Sequence, residues 1–339
     1  MKTPDSGDHV AGRLSVPFLL ATVAASVSLQ AQLTSHSFGS GANTFTLDFV
    51  TIGNPGNSAD TTVSPSMGAV PYVYRMGKHE VSRDMIEKAN NAGGLGISLA
   101  DMTSYGGNGV NRPATGVSWN EAARFVNWLN ESKGYSPAYK FGVQPSDAGY
   151  DANGNISLWT VGDAGYNAGN PYRNSLAHFF LPSENEWFKA AYYDPIKIGG
   201  GGYWVYPTGS DTAPIPTAGS TNPGEAVYNG QSGPADINNA GGLSPYGTMG
   251  QGGNVVEWHE SAWDGANDED WELRSAHGGY WSRSASRLGA SYRSISDPTL
   301  DYDFLGFRVA AAVPEPLESA GVIGVAALGF ALWRRWGSL

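Results

Sequence analysis

The sequence predicts one α+β domain, irregular and rich in loops, and three observations predict it. Glycine contributes 46 of 339 residues while only 15% of residues are charged, a composition of tight turns rather than of a helix bundle. Only three segments carry helix signals, and they are short. Long stretches at 134–176, 195–250 and 260–275 are dominated by Gly, Asn, Pro and Ser, lengths that compact domains reserve for functional loops or minor structure. Apolar residues, at 41%, suffice for a sizeable core.

Taken in order, "TFTLDFVTI" (44–52) and "YVYRMGKHEVS" (72–82) are rich in β-formers and read as strands. "SRDMIEKANNAGG" (82–94) reads as a short helix. The helix in "SWNEAARFVNWLNESKG" starts at a capping box, Ser118 with Glu121, whose hydroxyl and carboxylate satisfy free N–H groups. Trp119, Ala122, Ala123, Val126 and Leu129 share its apolar face, and Gly134 closes it. "LPSENEWFKAAYYDP" repeats the logic with Ser183 and Glu186, and Pro195 stops it. No repeat of 20–50 residues is present.

Both ends read as addresses. Lys2 and Arg13 precede the uncharged apolar run Leu14–Leu29, and "LQA" offers a cleavage position at Ala31, the pattern of a secretory signal peptide over 1–31. At the other end, "VPEP" is followed by Gly321–Trp333, 13 uncharged residues, and then by Arg334 and Arg335. As a helix that run spans about 20 Å, short for a full crossing, with its basic end placed as for a cytoplasmic stop. Residues 313–339 are similar to a PEP-CTERM sorting signal. That resemblance implies processing by an exosortase in a Gram-negative envelope, transient inner-membrane anchoring through the C-terminal helix, and company with exopolysaccharide.

Charge and cysteine usage exclude several functions. The net charge is −11, and the 20 Lys and Arg residues form no long basic run, so no nucleic-acid partner is expected. The absence of cysteine excludes disulfides, thiolate-held metals and a thiol nucleophile.

Between the addresses, six segments occur in a fixed order: "HEVSRDMI" (79–86), "RPATGVSWNEAARFVNWLN" (112–130), "FLPSENEWFKAA" (180–191), "GTMGQGGNVVEW" (247–258), "HGGYW" (277–281) and "GFRVA" (306–310). Together they resemble the formylglycine-generating enzyme (sulfatase-modifying factor) family, and the domain is read over 33–312. The resemblance implies that family's fold, a loop-rich variant of the C-type lectin fold. It also implies a structural calcium wrapped by "GGNVVEW", with ligands carried over to Gly250, Gly253, Val255 and Glu257; a pairing of Glu257 with Arg308 is the competing reading. The family's oxidases hold copper(I) on two cysteines after the Gly-Gly turn. Here that stretch is "WSRSASRLGASYR" (281–293), offering hydroxyls and guanidinium groups, which cannot replace a thiolate pair for copper(I).

The expectation is therefore an exported envelope or matrix protein that has kept the frame and lost the oxidase centre. It would act as a binding or structural module for polysaccharide or a secreted protein, through a groove of Tyr280, Trp281, Arg283, Arg287 and Arg293. Tyr203 and Trp204, beside glycines, are further candidate sugar-stacking aromatics, whereas Trp119, Trp128 and Trp187 on the helices read as core. The alternative is an enzyme with cysteine-independent chemistry, with iron held by His259, Glu257 and His277, a two-His, one-carboxylate set. Ser284 and Ser286 lie in no G-x-S-x-G elbow, so a serine triad with His277 is not expected.

Overall fold

A computed structural model describes Met1 and residues 33–313. The leader read over 1–31 and the sorting signal read over 313–339 lie, apart from Met1 and Val313, outside the described residues. Each expected helix is present and starts at its serine. Helix α1 runs Arg83–Gly93, α2 Trp119–Glu131 and α3 Glu184–Tyr192, behind Ser82, Ser118 and Ser183. Each serine hydroxyl accepts from the backbone N–H three residues on. The carboxylates of Glu121 and Glu186 accept in return from the N–H groups of Ser118 and Ser183, at 2.9 and 2.6 Å. In α1 the reciprocal acceptor is the Met85 sulfur.

Thirteen short strands complete the described fold. A five-stranded antiparallel sheet is ordered β1-β2-β3-β13-β4, from Thr34–Phe38, Phe45–Ile52, Tyr74–Gly77, Ala310–Ala312 and Phe179–Phe180. Strands β5 (Tyr193–Asp194) and β6 (Gly202–Tyr203) form one small pair, and β7 (Ile215–Pro216) and β8 (Glu225–Ala226) another. The second main sheet is ordered β11-β10-β9-β12, from Ser294–Ser296, Arg274–His277, Val256–Ala262 and Leu305–Gly306. The sequence reading missed β1, which pairs with β2 from Thr34↔Phe49 to Phe38↔Phe45; its alternating face is short and interrupted by Ser and His. The second expected strand is trimmed to β3, because the backbone leaves the sheet at Lys78 to deliver Glu80 inward.

One aromatic and aliphatic core unites the five-stranded sheet, α2 and α3, with Phe49, Met76, Trp119, Phe125, Trp187, Trp258 and Phe307 fully buried. The burial of Trp119 and Trp187 agrees with their helical spacing; Trp128 is packed against this core but only partly buried. The loop majority is held by polar side chains instead. Asp60, Asp101, Asp163 and Asp297 each accept from a backbone N–H and a hydroxyl within three residues, turn chemistry that substitutes for regular ladders.

At the sheet edge His178 stacks on Tyr135, with ring centroids 4.7 Å apart, and sits beside His36. Burial, then the nearby His36 and Arg75, drives the His178 pKa down to about 4. The unfolded chain therefore takes up a proton near pH 6.5 that the folded protein refuses until about pH 4. His178 contributes its full stability above that upper value and loses it as the pH falls through the window, at up to about 1.4 kcal/mol per pH unit. Urea unfolding at pH 7, 5.5 and 4.5 should show this slope, and His178→Gln should reduce it, the remainder coming from other buried histidines such as His79, whose pKa burial lowers to about 4.

Candidate functional site

The site is built where β9, β10 and the Gly-Gly turn meet the loops that follow. Two glycines shape it. Gly253 has φ +89°, and a Cβ there would lie 2.3 Å from the Val227 carbonyl oxygen. Gly279 has φ +68°, and its Cβ would lie 2.9 Å from the Arg287 carbonyl oxygen. Any side chain at either position would separate backbones that must touch. Past Gly279 the chain turns through Tyr280 into a 3-10 turn, Ala285–Arg287, and is anchored by the buried Leu288, whose carbonyl accepts from the Tyr192 hydroxyl at 2.9 Å.

This turn forms a cleft of about 160 Å³ lined by Val256, Gly279, Tyr280, Arg283, Arg287, Tyr292, Ser294 and Phe304. Arg283 lies over the Tyr280 ring at 5.0 Å and Arg287 over the Tyr292 ring at 4.3 Å. Tyr280 in turn stacks on Phe304 at 4.5 Å. No carboxylate belongs to the lining, so both guanidinium groups face the cleft with aromatic support and no acidic partner there.

Three of the five expected groove residues, Tyr280, Arg283 and Arg287, are thus brought together. The other two are not. Trp281 is buried in a second cluster with Met102, Val227, Ala235 and Val255, in a turn held by its N–H donating to the Asn254 carbonyl and its carbonyl accepting from the Gln231 N–H. Arg293 faces the far side, bonded to Glu184 and lying 4.0 Å over the Trp263 ring. Tyr292, Ser294 and Phe304 were missed; no motif marks them, and only the fold brings Phe304 beside Tyr280. Tyr203 and Trp204 line a different cleft with Asp60 and Thr62.

The calcium expectation meets a different arrangement. Both oxygens of Glu257 accept from Arg308, Oε2 from Nε at 2.6 Å and Oε1 from Nη2 at 2.5 Å, and Oε2 also accepts from Trp187 Nε1 at 2.6 Å. All three residues are fully buried. A guanidinium already supplies the positive charge that the carboxylate needs, so Glu257 does not fit as a ligand beside Gly250, Gly253 and Val255, and the Arg308 pairing is the arrangement found. The sequence reading also missed Glu80, whose carboxylate packs against Gly250. Asn254 Nδ2 donates to both Glu80 oxygens, at 3.0 and 2.8 Å, while its Oδ1 accepts from the Ala235 N–H. Burial and then the neighbouring Glu257 push the Glu80 pKa well up.

The iron expectation is corrected in its carboxylate. His259 and His277 do meet, their rings stacked at 4.9 Å, but Glu257 is committed to Arg308. The carboxylate beside them is Glu184, the first residue of α3, with Oε1 3.6 Å from His277 Nδ1. Among the described residues, Glu184, His259 and His277 each offer a ligand atom within 4.8 Å of the others. Sequence spacing favoured Glu257 because it lies two residues from His259, whereas Glu184 comes from a helix 75 positions away.

Small sheets on a loop scaffold, capped helices and a Gly-Gly turn presenting a cleft define a class of loop-rich α+β domains. The chain belongs to the family described as "Sulfatase-modifying factor enzyme 1-like domain", which matches residues 56–313. Strands β1 and β2 extend the same sheet on the N-terminal side of that match. Among solved structures, Treponema denticola variable protein 1 is similar at 18% identity and TM-score 0.55, covering 82% of this chain and 99% of its own. PvdO from Pseudomonas aeruginosa is similar at 16% identity and TM-score 0.48, covering 82% and 98%. At these identities the likeness is one of fold. No curated protein sequence matches the chain.

Proposed function

We propose that this chain is an exported binding module whose cleft takes an anionic group of an extracellular polysaccharide. The observation that carries this reading is the paired Arg283 and Arg287 in a cleft whose lining includes aromatic rings and a hydroxyl but no carboxylate. On a chain of net charge −11 such a spot selects for an acidic ligand by local charge. Guanidinium groups bind carboxylate or sulfate oxygens in a fork, and Tyr280 and Tyr292 offer ring faces to a sugar. The absence of cysteine supports loss of the family's thiol-based oxidation.

Export and envelope anchoring belong to the same proposal and rest on the end sequences. Fractionation of cells expressing the full chain, against one truncated before Pro314, tests them: the full chain should partition with membranes before processing and the truncated one should not.

The cleft is tested by titrating the full chain with polygalacturonate and with neutral dextran. Each charge-assisted contact is worth about 1.5–3 kcal/mol, so Arg283→Ala with Arg287→Ala should weaken polygalacturonate binding at least tenfold. Binding should also fall with salt and be absent for dextran. Equal binding of the two polymers, or unchanged binding by the double variant, would remove the proposal.

A further inference from the structure

The structure assigns a second site, separate from the arginine cleft: a buried, three-ligand zinc-class metal site formed by Glu184, His259 and His277. The argument starts from satisfaction of buried polar atoms. His259 and His277 are fully buried, and all four of their ring nitrogens lack a hydrogen-bond partner. A neutral imidazole carries one N–H donor and one acceptor, so two such rings side by side leave two donors and two acceptors unmet in one place. Buried polar groups are otherwise nearly always paired. The neighbouring Trp187, whose ring flanks both histidines at 5.1 and 5.5 Å, donates its N–H to Glu257 and so offers them no hydrogen bond.

The chemistry of the set selects the ion. Two imidazole nitrogens and one carboxylate oxygen suit zinc and its transition-metal neighbours, whereas calcium and magnesium demand oxygens. Three protein ligands with a fourth position open are a recurrent zinc arrangement. Bonds of about 2.0–2.1 Å place tetrahedral ligands about 3.4 Å apart. The Glu184–His277 pair is at 3.6 Å and the three ligand atoms lie within 4.8 Å of one another; binding requires the two stacked imidazoles to turn so that their in-plane nitrogens converge on the ion. Arg293 holds Glu184 through Nε on Oε1, the oxygen nearest His277, at 2.5 Å and through Nη2 on Oε2 at 2.7 Å. That uses two of the carboxylate's roughly four lone-pair positions and orients it as an outer partner orients a metal ligand.

The three residues belong to the first turn of α3, to β9 and to β10. An ion here would add to the links between α3 and the centre of the second sheet, which are otherwise packing, the Glu184 N–H donating to the Ser261 hydroxyl and the Trp187 N–H donating to Glu257. Burial of both rings means that an ion would be loaded as the chain folds, with a water completing the fourth position.

The test uses the full chain expressed with zinc, dialysed against metal-free buffer and analysed for bound metal. One equivalent of zinc is expected, with less than a tenth of that in His277→Asn and His259→Asn. Arg283→Ala, in the separate cleft, should retain the full equivalent, which distinguishes failure of this site from failure of the polysaccharide reading. Because the histidine variants lie in the core, cobalt(II) replaces zinc during refolding of the unaltered chain as a second measurement. Intense visible bands of a four-coordinate nitrogen-ligated ion are expected. Less than a tenth of an equivalent in the unaltered chain, equal zinc in the histidine variants, or only the weak spectrum of six-coordinate cobalt would each overturn the site.

Discussion

Arg308→Met should cost about 3–5 kcal/mol, the range found when one partner of a buried ion pair is removed. Arg308 is fully buried in the "GFRVA" segment and reaches four groups at once. It holds both oxygens of Glu257 and donates to the carbonyls of Gly77 and Met249. Methionine would leave Glu257 buried without a counter-charge, with only the Trp187 N–H as a partner and the buried Glu80 carboxyl close by. A loss of this size should lower the midpoint of thermal unfolding by roughly 10 °C for a domain of this length. Adding Glu257→Gln should restore much of the loss, because it removes the stranded charge. Chemical denaturation of both variants is the measurement, and a loss under 1 kcal/mol for Arg308→Met would show that the pair is not the brace described here.

Arg173→Met should have a comparable effect, one that shrinks in acid. Arg173 donates to Glu186 through Nη2 at 2.9 Å and to Glu260 through Nε at 2.7 Å, and both carboxylates are fully buried. Its guanidinium also lies 3.7 Å over the Phe180 ring. Burial alone would raise the Glu186 pKa, but the charge of Arg173 outweighs it and the pKa lies below the ordinary value. In the unaltered protein this contribution is present above about pH 4.5 and is lost as the pH falls through the lowered folded value. Without Arg173 the balance reverses: burial keeps Glu186 protonated to higher pH, so the variant is helped by acid. Its deficit should be about 3–5 kcal/mol at pH 7 and clearly smaller at pH 4.5. Denaturation curves at the two pH values check this, and a deficit that is constant with pH would contradict the assignment.

These two arginines also show which kinds of information the sequence exposes. Ser82, Ser118 and Ser183 open the helices where their spacing to apolar residues places them, since capping is satisfied within three or four positions of chain. The apolar faces of α2 and α3, and the burial of Trp119 and Trp187, follow from helical periodicity for the same reason. The loop-rich α+β class follows from glycine content and turn chemistry. Strand β1 was not legible, because its five residues gain their strand character from pairing with β2.

The candidate sites divide in the same way. Tyr280, Arg283 and Arg287 were legible because a Gly-Gly turn and a short connected stretch place them together. Trp281 and Arg293, in the same stretch, turn away from the cleft, since side-chain direction within a loop depends on which partners the rest of the fold supplies. Arg173, Glu184 and Glu80 carry no local signal at all. The amino-acid sequence by itself determined the helix starts, the absence of thiol chemistry and the position of the Gly-Gly turn, all of them local or compositional properties. Only the tertiary structure decided that Glu257 pairs with Arg308, and that Glu184 rather than Glu257 faces the two histidines. Those choices rest on contacts between residues 51 and 75 or more positions apart, and burial there leaves each charge one available partner.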